Sequence, residues 1–135
     1  MCLVINSAAK VAEEDIICYK VLEECKLEGY PYMSPFQENL ITSEIVCGLW
    51  PYVGLGDRTI KQDNCGQPIV SEGYIHTYKF KTVAEDMCQY LTKHFENDCH
   101  LFECKIPAGT EYYEGFDTNF LSSYASERIV FEKLF

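Results

Sequence analysis

The stretch Ser71-Glu72-Gly73-Tyr74-Ile75-His76-Thr77-Tyr78-Lys79-Phe80-Lys81 runs straight into Thr82-Val83-Ala84-Glu85, and the period of the side chains changes between the two. Tyr74, His76 and Tyr78 alternate with Ile75, Thr77 and Lys79, the two-residue period of a strand. Gly73 just before them permits a backbone turn that a larger residue resists. From Thr82 the period lengthens. Thr82 and Glu85 form a capping box, in which hydroxyl and carboxylate satisfy free amides at a helix start. Ala84, Met87, Cys88, Leu91 and Phe95 then recur at three- and four-residue steps, which predicts one main helix over about 82–95 with a single apolar face.

Strands are expected on either side of this unit. Residues 16–22 are β-branched and apolar on both faces, without Pro or Gly, and read as a central strand. Residues 23–28, rich in charge, read with Gly29-Tyr30-Pro31 as a solvated loop or hairpin turn. Ser34-Pro35-Phe36-Gln37 reads as a turn that pins Phe36 into the core, and residues 40–50 as a second strand-like region ending at Pro51. Turn formers crowd residues 51–68. Gly54-Leu55-Gly56 lacks the third glycine, the lysine and the following helix of a phosphate-binding loop, and reads as a plain glycine turn. After the helix, residues 100–106, 110–115 and 126–135 carry strand patterns, with Phe102, Cys104 and Ile106 on one face. The expected fold is therefore α+β: a single domain with a bent, mostly antiparallel sheet of about five or six strands and the one main helix packed on it.

Composition restricts function. The 135 residues are 47% hydrophobic, enough for an ordinary core, and 11 basic residues against 21 acidic ones leave a net charge of −10. Such a charge repels nucleic acid and anionic lipid, so neither is an expected direct partner; it suits instead a basic groove on another protein. The eight cysteines are even in number, yet the first residues carry no secretory apolar run, and no stretch is long and apolar enough for a bilayer. A reducing cytoplasm is the expected compartment, with thiols packed as small hydrophobes. His94, Cys99, His100 and Cys104 lie close in sequence, but no Cys-x-x-Cys pair accompanies them, so neither a metal nor another cofactor is expected.

Five blocks occur in order: Cys18-Tyr19-Lys20-Val21; Ser34-Pro35-Phe36-Gln37; Glu72-Gly73-Tyr74-Ile75-His76 before a helix; Ile106-Pro107-Ala108-Gly109-Thr110-Glu111-Tyr112-Tyr113-Glu114-Gly115; and Tyr124-Ala125-Ser126-Glu127-Arg128-Ile129-Val130. Together they span most of the chain, which resembles a group of small uncharacterised proteins of bacteriophages and prophages with Tyr-Lys, Ser-Pro-Phe, Gly-Phe-His, Ile-Pro-Lys-Gly and Tyr-Ala-Ser blocks. Tyr74-Ile75 and Ala108 depart from the usual Phe and Lys. That group has no settled activity to lend, but a phage origin implies candidate roles, among them an acidic inhibitor of a host defence factor, of the anti-CRISPR kind, that occupies a basic nucleic-acid-binding surface of a host protein; the chain resembles such inhibitors in size and charge. Glu13, Glu14, Asp15, Glu23, Glu24, Glu28, Glu85, Asp86, Glu96, Asp98, Glu111, Glu114 and Asp117 supply the charge, and Tyr30, Tyr32, Tyr112 and Tyr113 are candidate anchors.

Chemistry is the alternative. Lys20 early, Tyr74 and His76 in the middle and Glu127 late resemble the layout of ADP-ribosyltransferases, in which an Arg or His grips the dinucleotide and a Glu stabilises the ribosyl cation. Here Lys20 stands at the Arg or His position, and no second Glu lies two residues from Glu127. On that reading His76, Glu127 and Tyr74 are the catalytic candidates. A nucleotide-signal pocket under Tyr74, His76 and Tyr78 is a further possibility, whereas no Cys-His pair stands out among eight thiols and three histidines.

Overall fold

In the computed structural model, which describes residues 3–5, 8–35, 39–56, 58–70, 73–117 and 121–135, sheet dominates. The strands are β1 (Leu3–Ile5), β2 (Lys10–Val11), β3 (Ile16–Leu27), β4 (Tyr30–Met33), β5 (Leu40–Ile41), β6 (Tyr52–Val53), β7 (Ile60–Gln62), β8 (Pro68–Val70), β9 (Ile75–Tyr78), β10 (Cys99–Ile106), β11 (Glu111–Phe116), β12 (Ser122–Ser126) and β13 (Arg128–Leu134); the helices are α1 (Ser43–Val46) and α2 (Lys81–His94). Among the described residues, thirteen strands form one antiparallel sheet in the order β6-β13-β10-β3-β9-β12-β11-β1-β8-β7, with β2 on β11, β4 on β3 and β5 on β4. The expectation of five or six strands with one main helix is thereby corrected. Several of the additional strands are two or three residues long, too short to display a period, and their neighbours' backbone groups hold them extended.

Three local readings change with it. The charged residues 23–28 are no loop: β3 runs on to Leu27, paired on both sides through Glu23 with Cys99 and Met33, and the hairpin turns at Gly29, whose φ is 83°. Residues 40–50 hold a two-residue strand and a short helix. The helix α2 lies where its periodicity places it, burying Ala84, Met87 and Leu91, but Thr82 and Glu85 form no capping box: Phe80 takes the cap position without a side-chain hydrogen bond, and Glu85 faces Lys81 at 3.8 Å. The expected burial of Phe36, and Ser71-Glu72 of the strand lead-in, lie outside the described residues.

The sheet is strongly curled, and one residue shows why. Ser126 ends β12, Arg128 begins β13, and only Glu127 separates them. Residues two apart span at most about 7 Å. Yet in the sheet β13 and β12 are four inter-strand steps apart through β10, β3 and β9, about 19 Å if the sheet were flat. The five strands therefore roll until the end of β12 meets the start of β13. All five send side chains into one interior: Cys18 and Leu22, Ile75, Phe102, Cys104 and Ile106, Tyr124, Ile129 and Phe131. The opposite face carries α2 on Val21, Tyr78, Cys99 and Leu101.

Gly54 reports the same closure. Its amide donates to the Glu127 carbonyl at 2.9 Å, and a Cβ added to it would overlap the Gly73 carbonyl oxygen just ahead of β9. A glycine stands here because backbone meets backbone. Gly54→Ala is expected to lower stability by about 1–3 kcal/mol, read from urea midpoints; an unchanged midpoint would show that the corner gives way freely.

Candidate functional site

Lys20 projects from β3 into the curled sheet and is only 7% exposed. The β3–β9 ladder is a single pair long, Tyr19 with Tyr78, and beside it the Lys20 Nζ donates to the His76 carbonyl at 2.9 Å. No carboxylate of the described residues ion-pairs with it. Burial without a counter-ion disfavours the charged form and lowers its pKa from 10.5 to about 8.

The His76 ring stands edge-on to Tyr78 with centroids 4.8 Å apart, and its Nε2 lies 2.9 Å from Ser123 Oγ. The Ser123 hydroxyl gives its proton to the Leu121 carbonyl at 2.9 Å, so it accepts from His76 Nε2–H. With the Ser123 hydroxyl turned to Leu121, His76 Nε2–H is a donor toward Ser123. Burial, and then the Lys20 ammonium, push its pKa down from 6.5 to about 3, which keeps the ring neutral. The cavity between Lys20, Val21, Pro35, His76, Tyr78 and Leu91 offers only about 10 Å³ to the centre of a water molecule, room for roughly one water and none for a nucleotide.

The other catalytic candidates are held elsewhere. Tyr74 is buried edge-on against Tyr113 and donates to Glu111 Oε1 at 3.4 Å, and Glu127 Oε2 accepts from Arg58 at 3.0 Å. His76, Tyr74 and Glu127 therefore each have a different partner. The four sequence-close Cys and His are also dispersed: His94 stacks on Tyr90, His100 Nε2 lies 2.7 Å from Glu24 Oε1, and Cys99 and Cys104 belong to separate core clusters. Among the described residues no group of three or more His, Cys, Asp or Glu is placed to hold a metal ion, and seven cysteines are free thiols. No described helix is long and apolar enough to cross a membrane.

The candidates Glu23, Glu24, Glu28, Tyr30 and Tyr32 and the candidates Glu111, Tyr112, Tyr113, Glu114 and Asp117 fall in two regions. Glu23, Glu24, Glu28, Tyr30 and Tyr32 lie at the far end of β3 and on β4. Glu23 is buried, Tyr32 packs edge-on against Phe102, and Glu28 and Tyr30 are exposed. Glu111, Tyr112, Tyr113 and Glu114 lie on β11, which follows β10 closely, and β10 ends with Ile106 paired to Ile16 at the start of β3. The length of β3, about 36 Å, separates the two ends. Alternation then splits the β11 set, with Tyr113 buried and Tyr112 and Glu114 on the other face. Glu114 pairs with Lys10 and Lys79, and Asp117, 3% exposed, accepts from the Leu121 amide and cannot reach an opposing surface.

Another acidic group lines a groove that opens to solvent. Glu13, Glu14 and Asp15, between β2 and β3, line a groove of about 530 Å³ together with Lys10, Val11, Ile16 and Tyr112. Asp15 is tied back by the Ala108 amide and Lys105, whereas Glu13 and Glu14 make no ion pair with the described residues. Sequence proximity marked these carboxylates; the groove and its Tyr112 wall carry no signal in the sequence.

Comparison with family models, curated proteins and solved structures finds no match.

The buried lysine makes a measurable prediction. Lys20→Met should stabilise the protein at pH 7 by up to about 3 kcal/mol, because a pKa of about 8 against 10.5 means the folded state binds the proton more weakly. That penalty is complete below pH 8 and vanishes as pH rises to 10.5. Urea unfolding of both proteins should show the gap closing over this window; a gap of equal size at pH 7 and pH 10.5 would refute the buried charge.

Proposed function

We propose that the protein acts by binding rather than by chemistry, setting an acidic face against a basic, nucleic-acid-holding surface of a host protein and so inhibiting a host defence factor. The observation that carries this reading is the groove of Glu13, Glu14 and Asp15, with its carboxylates in solvent beside Tyr112 and Val11. Two exposed carboxylates without an ion-pair partner among the described residues can attract an incoming Lys or Arg, and the half-buried Tyr112 offers a rigid apolar wall against which a guanidinium or alkyl stem can lie. The net charge of −10 steers encounter in the same direction. The resemblance to bacteriophage proteins names the setting, in which a nuclease or its guide-binding channel is the expected target.

Tagged protein, kept reduced, is the bait for a bacterial lysate carrying defence nucleases, washed at low and high salt and read by mass spectrometry. A basic nucleic-acid-binding protein is expected at low salt, depleted at high salt and lost with the double substitution Glu13→Lys and Glu14→Lys. Absence of any partner at both salts, or capture indifferent to the substitutions, would refute the proposal.

A further inference from the structure

The chain contains two arginines, Arg58 and Arg128, seventy residues apart, and both line one groove of about 260 Å³ with Val53, Gly109, Thr110 and Glu127. The groove lies at the corner where β12 passes into β13. Arg58 is fully engaged there: one terminal nitrogen donates to Glu127 Oε2 at 3.0 Å and the other to the Gly54 carbonyl at 3.1 Å. Arg128 differs. Its Nε donates to Thr110 Oγ1 at 3.1 Å, and Thr110 is itself buried, so the base of the guanidinium is fixed. Its two terminal nitrogens have no partner among the described residues. In a chain with 21 acidic residues, no described carboxylate ion-pairs with this arginine.

We infer that this groove is a carboxylate-binding site, with Arg128 as the receiving group. A guanidinium anchored through Nε presents its outer N–H groups as a planar fork that matches two carboxylate oxygens. The Arg58–Glu127 pair beside it displays the same chemistry satisfied from within, and because Glu127 neutralises Arg58 the groove carries one net positive charge, enough for a monoanion. Val53, 41% exposed, forms an apolar wall beside the fork. The site therefore favours a carboxylate attached to an apolar group, as a chain end offers, over a bare ion. It shares no lining residue with the acidic groove, which adjoins it through Ala12 on Gly109 and Thr110, and it takes the opposite charge.

The test is an NMR titration of the full chain with acetate, N-acetylvaline and inorganic phosphate, at ionic strength held constant with sodium chloride. Saturable shifts at Gly109, Thr110 and Arg128 are expected with both carboxylates. N-acetylvaline is expected to bind more tightly than acetate, and equal binding would overturn the preference for an apolar chain end. Arg128→Gln should weaken binding at least tenfold with the dispersed spectrum of the fold intact. Arg128→Lys, which keeps the charge without the fork, should weaken it several-fold and serves alone if the glutamine variant does not fold. No saturable shift, an affinity untouched by Arg128→Lys, or phosphate binding at least as tightly as the carboxylates would overturn the assignment.

Discussion

One covalent constraint shapes this molecule: a single residue, Glu127, carries the chain from β12 to β13, strands that the sheet order sets four steps apart. A flat sheet cannot satisfy it, so the sheet rolls. Rolling creates the shared interior of Phe102, Phe131, Ile129, Cys104 and Leu22, and it brings Gly54 onto Glu127 and Gly73. Hydrogen bonds from Glu127 to Glu111 and from Gly54 to Glu127, together with the Arg58 bridge, hold the corner from three directions. Burial of the interior side chains supplies the driving force, and the corner selects which curled arrangement receives it.

The rolled sheet also sorts the charges. Inside, Lys20 replaces a strand partner for the His76 carbonyl at the one-pair seam between β3 and β9, and its ammonium helps keep His76 neutral. Both groups are strongly perturbed by burial, and the cavity between them has space for about one water. Strong perturbation marks a functional site only where a ligand can reach the groups. Here it accompanies a structural seam, whereas the grooves at Glu13–Asp15, at the arginine corner and beside α2 at Val83, Asp86 and Tyr90 open to solvent among the described residues.

Legibility in the sequence followed element length and burial. The helix α2 was visible from Ala84, Met87 and Leu91, and β10 from Phe102, Cys104 and Ile106, because a long element buried on one or two faces must repeat its apolar residues. The capping box was not realised, since a local hydrogen bond at Thr82 is worth too little against the extended path that Phe80 takes out of β9. The second half of β3 was hidden because Glu23-Glu24-Cys25-Lys26 has the composition of a loop; β10 and β4 on either side make it a strand. In Ser122-Ser123-Tyr124-Ala125-Ser126 small polar residues concealed a strand buried along nearly its whole length. Of the site residues, Tyr112 and Tyr113 were read alike as anchors although they fall on opposite faces of β11, and burial of Glu23 and Asp117 depends on neighbours distant in sequence.

The sequence by itself determined the net charge, the wealth of thiols, the one long helix and the strands that carry a full period. These properties are local or additive, set by residue type and spacing alone. Only the tertiary structure decided that thirteen strands share one curled sheet, that Lys20 lies inside it, that His76 meets Ser123, and that Arg58 and Arg128 meet across seventy residues. Each depends on pairing between distant segments, where cross-strand neighbours and closure of the chain outweigh the weak preference of any single residue.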